Sequence, residues 1–239
     1  MRIIRSVLIP ILLMLLIIAV IGCDGEEQPF TFPTQMPDGG ISGELPILKT
    51  GDKWVARVIS EGVEHTMTVE VTGEDVTEGK DCYVIVSFFD PPAQDIIGSV
   101  TGKIYKATMD TIRMETSGEY MGSPYSLASS YSYQYTGPLQ FPLEVGKEFE
   151  VIETETSNFT LQGDTDTETI TNIYNYKVES VEEVVVPAGV FKCFKVVQYD
   201  EQGTALGTEW MSPETKFYTV KELDHETGDV LELTSYSLR

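Results

Sequence analysis

The sequence predicts an all-β fold over residues 48–239, built as a curved antiparallel sheet or half-barrel. Apolar and polar residues alternate in segments such as Thr66–Val71, where Met67, Val69 and Val71 share one face. Turn-forming residues recur at a spacing of about 8–12 residues, as expected between short antiparallel strands. No segment after residue 23 has the apolar spacing of a helix of any length. Together these patterns predict strands joined by tight turns.

The strand-like segments follow one another along the chain. Residues 82–89, CYVIVSFF, form a dense apolar run typical of a buried strand. The other segments are Thr66–Val71, Ile104–Asp110, Phe149–Glu155, Thr169–Val181, Phe191–Tyr199, Ala205–Trp210, Phe217–Leu223 and Val230–Leu238.

A weak internal repeat divides the predicted domain. Residues 48–54, LKTGDKW, resemble residues 143–149, LEVGKEF, and each half later reaches a glycine and an apolar strand with one cysteine. Two related β-meanders, residues 48–136 and 143–239, would explain the likeness, and chance similarity is the alternative. If the halves pack about a pseudo-twofold axis, Cys82 and Cys193 lie on corresponding strands.

The N-terminus carries an export signal. Arg2 and Arg5 precede an apolar stretch, Val7–Ile21, that is interrupted by Pro10. A short basic segment followed by about 15 apolar residues is typical of a secretory signal. A permanent membrane span usually needs about 20 apolar residues. Residues 1–22 are therefore predicted to be a signal helix.

The sequence Val20-Ile21-Gly22-Cys23 resembles the lipobox of bacterial-type lipoproteins. The resemblance implies cleavage after Gly22, attachment of lipid such as palmitate to Cys23, and anchoring on the extracytoplasmic side of the cell membrane, periplasmic or at the cell surface. Residues 23–47 then form a tether rich in Pro and Gly. A plain anchor helix and a cleaved signal without lipid are the alternatives.

The charge balance excludes one class of partner. The chain has 16 basic and 38 acidic residues, for a formal net charge of −22. Nucleic acid is excluded because phosphates require Lys and Arg.

With Cys23 lipidated, Cys82 and Cys193 remain as an even pair, which in an exported protein suggests a disulfide. Two buried thiols are the alternative.

The second half carries a recognisable series of motifs. Residues 184–193 read VVVPAGVFKC, residues 208–213 read TEWMSP, and residues 231–236 read LELTSY. This series resembles the TapB-like group of exported β-domains and lipoproteins. The resemblance implies a curved antiparallel sheet and no catalytic residues. Thr215-Lys216 stands where that group commonly has a glycine, so the turn is expected to differ.

Candidate sites for catalysis or metal binding are sparse. His65 and His225 are the two histidines, and neither has a partner at zinc-ligand spacing. The run Gly163–Glu168 alternates carboxylates but lacks the spacing of an EF-hand. The sequence therefore predicts no catalytic residue, no metal and no cofactor. A hydrolase would require His65 or His225 to meet a Ser or an acid in an open pocket.

Tyr131, Tyr133 and Tyr135 recur at period two and share one strand face. They would line a groove for a sugar or an apolar ligand, or form an aromatic cross-strand ladder. The leading hypothesis is a membrane-anchored, non-enzymatic β-domain that binds an apolar ligand or serves in envelope structure. The alternative is a surface subunit for protein–protein interaction or assembly.

Overall fold

Twelve antiparallel strands form one closed barrel in the computed structural model, which describes residues 41–60, 62–90, 99–120, 123–138 and 140–239. The signal peptide of residues 1–22, Cys23 and the tether as far as residue 40 lie outside the described residues. The strands are β1 Lys53–Ser60, β2 Val63–Thr77, β3 Lys80–Asp90, β4 Ser99–Tyr105, β5 Thr111–Tyr120, β6 Ser123–Thr136, β7 Glu148–Leu161, β8 Asp164–Val186, β9 Gly189–Tyr199, β10 Ala205–Met211, β11 Thr219–Asp224 and β12 Val230–Ser237.

Each strand pairs with its neighbours in sequence, and β1 also pairs with β12. That last ladder runs from Lys53 opposite Ser237 to Ile59 opposite Val230. The all-β, antiparallel prediction is confirmed, but the half-barrel or open curved sheet is wrong. Alternation of apolar residues is a local pattern, so it does not show whether the first and last strands meet. Within the described residues, no helix is both long enough and apolar enough to cross a membrane.

Two predicted strands have different bounds. The segment Ile104–Asp110 contains a turn, because β4 ends at Tyr105 and the amide of Tyr105 bonds the carbonyl of Asp110 at 2.7 Å. The segment Phe217–Leu223 begins as a strand only at Thr219, since Phe217 has a left-handed φ of +60°. Such turns place residues in positions that period-two alternation alone does not reveal.

The 184–193 motif forms the hairpin that joins β8 and β9, as its proline and glycine predict. Gly189 has a φ of +139°. The hairpin closes onto β12, because the amide of Ala188 donates to the carbonyl of Leu233 at 3.0 Å. Val184, Val186 and Phe191 of this hairpin join the larger of two buried clusters, which also includes Trp54 and Leu231.

The two predicted halves supply six strands each and begin with the same turn. The amide of Gly51 bonds the carbonyl of Val71 at 2.7 Å, and the amide of Gly146 bonds that of Val178 at 2.8 Å. A second pair of bonds is repeated as well, from Val71 N to Asp52 O and from Val178 N to Lys147 O, both at 2.9 Å. The register is then interrupted directly after Val71 in β2 and directly after Val178 in β8.

The repeated register makes Cys82 and Cys193 equivalent. Cys82 lies three residues before the partner of Val71, and Cys193 lies three residues before the partner of Val178. Their strands, β3 and β9, are six positions apart in both directions around the barrel. Both cysteines are buried free thiols, so the suggested disulfide is not formed in this structure. The pseudo-twofold relation that makes them equivalent also places them on opposite walls.

Asp52 ties the start of the barrel to its end. Its carboxylate accepts bonds from the amide of Arg239 at 2.7 Å, the amide of Lys49 at 2.7 Å and the ammonium of Lys216. Lys216 takes a left-handed φ of +55° after the short 3-10 helix Pro213–Thr215. Lys216 belongs to the Thr215-Lys216 segment, and its ammonium supplies the bond to Asp52.

Asp52→Ala is expected to lower the free energy of unfolding by about 3 kcal/mol at pH 7, because it leaves a partly buried ammonium and two amides without their acceptor. Burial opposes ionisation, yet the hydrogen bonds from Lys216, Arg239 and Lys49 lower the pKa of Asp52 below its ordinary value. Its contribution is therefore present above about pH 4 and is lost as the pH falls through the lowered pKa.

Urea denaturation at pH 7 and pH 3 measures this effect, which should shrink at the lower pH. Asp75→Ala is the matched control, since Asp75 forms an exposed ion pair with Lys103 and such pairs contribute little. Equal losses for the two variants at pH 7 would contradict the assignment.

Candidate functional site

The interior of the second half of the barrel contains buried carboxyl groups. Glu153 on β7 is 2 % exposed, Glu209 on β10 is 3 % exposed and Glu222 on β11 is 6 % exposed. Side chains on a strand alternate between the two faces, and in this barrel these three residues share the inward face with buried apolar residues such as Val151 and Leu231. Buried ionisable groups without partners are rare.

Glu209 and Glu222 lie directly opposite each other on β10 and β11. The hydroxyl of Thr219 lies 3.5 Å from Glu209 Oε2. Burial, together with the charges of Asp224 and Asp229, raises the pKa of Glu222 to about 8. Burial, followed by the charge of Glu222, raises the pKa of Glu209 well above its ordinary range. Two adjacent buried carboxyls of this kind favour the protonated form.

Glu153 forms the second acidic position. Its cross-strand partners are Tyr133 on β6 and Asn172 on β8. Burial raises the pKa of Glu153 to about 8, and the nearby charge of Glu155 acts in the same direction. Glu155 itself accepts bonds from the hydroxyls of Tyr131 at 3.1 Å and Ser157 at 2.6 Å. Glu155 is therefore paired, whereas Glu153 Oε2 has no hydrogen-bond partner.

The three tyrosines of β6 share one face, and that face is the barrel interior. Tyr131 is 4 % exposed, and Tyr131 and Tyr133 stack with ring centroids 6.4 Å apart. The hydroxyl of Tyr133 donates to the carbonyl of Thr111 at 3.0 Å. The hydroxyl of Tyr135 is buried and has no partner. Across the β6–β7 ladder the three residues face Glu155, Glu153 and Val151, so this ladder is not an aromatic one.

Tyr176 on β8 lies between the two acidic positions. Its ring stacks on Phe149 with centroids 5.0 Å apart. Burial raises its pKa well above the ordinary value, and the charges of Tyr174, Glu153, Glu209 and Glu222 add to the shift. Because electrostatic interactions weaken with distance, a phenol whose pKa is raised by all three carboxylates lies near both acidic positions.

Several buried polar atoms of this region have no hydrogen-bond partner among the described residues. They are Tyr135 Oη, Glu153 Oε2, Gln198 Oε1, Tyr218 Oη and Glu222 Oε2. Gln198 is 3 % exposed and pairs with Tyr176 on β8 and with Gly207 on β10. An unpaired buried polar group costs free energy, so each of these atoms is a position where a bound molecule would form a bond. We call Glu153, Glu209, Glu222, Gln198, Tyr135 and Tyr176 the acid–tyrosine cluster.

The first half of the barrel shows what the fold itself requires at these positions. The pairing register makes Val58 the equivalent of Glu153, Gly102 that of Glu209 and Met114 that of Glu222. It also makes Val69 the equivalent of Tyr176. Small or apolar residues therefore satisfy this architecture. Alignment of the two halves through their Leu-x-x-Gly turns relates Glu153 to the apolar Val58, but it does not relate Glu209 or Glu222 to their counterparts, which only the pairing register reveals.

The two histidines do not join the cluster. His65 lies on β2 opposite Val58 and so on a strand, not in the predicted turn. His225 follows β11, as the turn prediction expects, and its Nε2 lies 2.8 Å from the hydroxyl of Thr208. Thr208 is buried, at 4 % exposed, which leaves its hydroxyl no open face for a substrate.

The other predicted positions can also be located. The Gly163–Glu168 run forms the exposed turn and start of β8. In the described part of the chain, no group of three or more His, Cys, Asp or Glu residues is arranged to hold a metal ion. Burial raises the pKa of the Cys193 thiol to about 12, so this thiol is largely un-ionised at neutral pH.

The pKa values of the buried acids predict how stability changes with pH. A raised pKa means that the folded state holds protons that the unfolded state has released. Stability should therefore fall as the pH rises from about 5 to about 8. The triple variant Glu153→Gln, Glu209→Gln and Glu222→Gln should lack this dependence and exceed the original chain by on the order of 2 kcal/mol at pH 8.5.

Thermal and urea denaturation of dialysed protein between pH 5 and 9 measures both effects. Glu148→Gln is the control, because Glu148 pairs with Lys177 at an exposed position. A stability of the original chain that rises over this range, or a triple variant with the same slope, would contradict the prediction.

The chain resembles known proteins only distantly. No family model matches the chain, and no curated protein matches it. The TapB-like resemblance therefore stays an expectation. One similar solved structure is a Bacteroides fragilis protein described as exported and as having a YmcC-like fold; it shares 12 % identity over 81 % of this chain and 99 % of its own, with a TM-score of 0.40. Another is a Parabacteroides distasonis protein described as a lipoprotein, with 10 % identity over 82 % of this chain and 99 % of its own, and a TM-score of 0.40.

Proposed function

We propose that this chain is a lipid-anchored protein of the extracytoplasmic side of a membrane, and that its barrel binds a small polar molecule without converting it. The observation that carries the proposal is the set of buried, unpartnered polar atoms in the acid–tyrosine cluster. The fold does not need carboxyl groups at the three acidic positions, because the equivalent positions of the first half hold Val58, Gly102 and Met114. The equivalent of Gln198 is Ser87, whose buried hydroxyl also has no partner. Groups that cost stability and are not required by the architecture are typical of functional sites.

The dimensions of the barrel support binding in its interior. Barrels of about eight strands are filled by side chains or hold one small ligand, and those of about 16 strands enclose a channel. A barrel of twelve strands lies between these cases. Gly207 places no side chain beside Gln198, where a Cβ would be 3.9 Å from Gln198 Oε1. The position beside this unpartnered acceptor therefore carries no side chain.

A polar ligand fits this interior better than the apolar ligand expected from the sequence. The buried apolar side chains pack on one another in two clusters, one around Trp54 and Leu233 and one around Phe149 and Phe194. The groups whose bonding capacity is unused are carboxyl, amide and phenol groups. Tyr135, one of the three tyrosines predicted to form a ligand face, belongs to that set.

The anchor rests on residues 1–23. The basic start, the apolar segment and the Val20-Ile21-Gly22-Cys23 motif support export followed by lipidation at Cys23. The Pro/Gly-rich segment of residues 24–46 would separate the barrel from the lipid head groups by on the order of 25 Å. A soluble barrel held close to a membrane in this way is suited to capturing a molecule outside the cytoplasm.

Expression in a bacterium with labelled palmitate tests the anchor. The original chain should take up label and sediment with membranes, because a lipidated cysteine partitions into the bilayer. Cys23→Ser should take up no label. Cys82→Ser is the control and should label normally, since Cys82 is a buried thiol of β3. Undiminished label in Cys23→Ser, or none in the original chain, would refute the anchor.

Exchange of the acids for their counterparts from the first half tests ligand binding. The full chain, purified in detergent, should retain a small molecule or take one up from an extract of its host, as read by native mass spectrometry. The variant Glu153→Val, Glu209→Gly and Glu222→Met should lose that molecule, yet melt at the same or a higher temperature. Glu148→Gln should keep it. Failure of the original chain to bind any molecule, or binding that survives the exchange, would refute this function.

A further inference from the structure

We infer that the molecule bound by the acid–tyrosine cluster is an organic cation with two or more ammonium groups, of the diamine or polyamine class. This inference rests on the proposed function, because it names the ligand class of the same interior site. Four features of the described residues support it: the sign of the charge, the kind of atom left unpartnered, the separation of the acids and the aromatic wall between them.

The ionisable side chains of the acid–tyrosine cluster can become negative but not positive. In the described part of the chain, no Lys or Arg forms an ion pair with Glu153, Glu209 or Glu222. The acids that do have basic partners lie at the ends or the outer face of the barrel, as where Glu232 binds Arg57 at 2.6 Å and Lys221 at 3.1 Å. A cation entering the barrel would supply the counter-charge that the chain does not provide.

The unpartnered atoms require hydrogen-bond donors. Glu153 Oε2 and Glu222 Oε2 are acceptors when ionised, and Gln198 Oε1 is an acceptor in any state. Gln198 is an observation independent of the acids, since its amide is buried and uncharged. The phenols of Tyr135 and Tyr218 accept as well as donate. An ammonium group has three donors and no acceptor, so it complements the ionised acids and Gln198 Oε1, whereas a carboxylate or an ionised phosphate has no donor for Gln198 Oε1.

The acids occupy two positions, not one. Glu209 and Glu222 are cross-strand partners, and Glu153 lies on β7, three strands away from β10. Three strand spacings correspond to about 14 Å across the strands. The register also places Glu153 six residues along β7 from the row of Glu209, on the order of 20 Å in the strand direction. In the described residues, no three carboxyl, thiol or imidazole groups lie close enough together to hold a metal ion. A flexible chain with an ammonium group near each end matches two separated acidic positions, and a single metal ion does not.

An aromatic wall connects the two positions. The charges of Glu153, Glu209 and Glu222 all raise the pKa of Tyr176. Its ring stacks on Phe149 with centroids 5.0 Å apart, and it contacts Tyr174 edge to face with centroids 6.4 Å apart. Aromatic faces attract ammonium groups and pack against methylene groups. The wall therefore suits the alkyl segment that separates the charges of a diamine.

Binding should be coupled to proton release. Around Glu153 the facing groups are Tyr133, Tyr135, Glu155, Tyr174, Tyr176 and the amide of Asn172, whose hydrogen bond lowers the pKa of Glu153. Around Glu209 and Glu222 they are Tyr176, Tyr218, Thr219, Asp224 and Asp229. These are acids, phenols, one amide and one alcohol, so none carries a positive charge. Because the acids are protonated near neutral pH, a cation must displace protons, and affinity should increase as the pH rises towards about 8.5.

Isothermal titration of the full chain with spermidine, in two buffers of different ionisation enthalpy, tests the inference. Spermidine should bind at pH 8.5, at least about tenfold more weakly at pH 6.5, and with protons released at pH 6.5. Glu153→Gln and the double variant Glu209→Gln and Glu222→Gln should each lose about tenfold in affinity or more. Butylamine, with one ammonium group, should bind about tenfold more weakly than spermidine, and Glu148→Gln should bind like the original chain.

The outcomes separate the ligand class from the proposed function. If mass spectrometry finds a small molecule that the exchange variant loses, but that molecule is neutral or anionic and spermidine does not displace it, the cation class is wrong and interior binding stands. If neither a retained molecule nor spermidine binding is found, both are wrong. Spermidine binding that is unchanged in the Gln variants, or unchanged between pH 6.5 and 8.5, refutes the inference, because it places the amine on the acidic outer surface.

Discussion

The pairing of β1 with β12 is the constraint on which the rest of this structure depends. It leaves no strand edge open and converts the period-two alternation of every strand into an inside and an outside. Asp52 reinforces the closure, because it joins the turn before β1 to Lys216 and to the C-terminal residue Arg239. Once the barrel is closed, every inward side chain packs on another side chain, or faces water or a ligand in the interior. This requirement applies to Glu153, Glu209 and Glu222, whose side chains point into the closed interior.

Because the two halves of the barrel repeat the same backbone features, equivalent positions in the two halves can be compared. Two turns with the same backbone bonds start β1 and β7, and two register interruptions follow at the same places in β2 and β8. Trp54 and Phe149 occupy equivalent buried positions, as do Cys82 and Cys193. Where the halves differ in chemistry, as at Val58 and Glu153, the shared architecture does not require the difference. The proposed ligand site would account for it.

The sequence predicts the secondary structure better than it predicts how the strands assemble. Most of the segments predicted from period-two patterns and from Gly and Pro turns are strands in the structure, because these signals are local, although Ile104–Asp110 is largely a turn. Closure was not predictable, since it depends on the total number of strands and their tilt. The site was visible in part: Tyr131, Tyr133 and Tyr135 were recognised as one face, but Glu153, Glu209 and Glu222 could not be distinguished from surface acids. Burial distinguishes them, and burial is a tertiary property.

The raised pKa values of Glu153 and Glu222 connect the stability of the barrel to its proposed use. Without a ligand, a buried carboxyl avoids the cost of an isolated charge by holding a proton. An ammonium group replaces that proton with a charge that the chain lacks in its interior, and the desolvation of the carboxyl has already been offset by folding. The chain therefore bears a modest loss of stability at high pH in its free form. In return it keeps two acidic positions, separated by Tyr176, in the geometry that a cation with two charges would require.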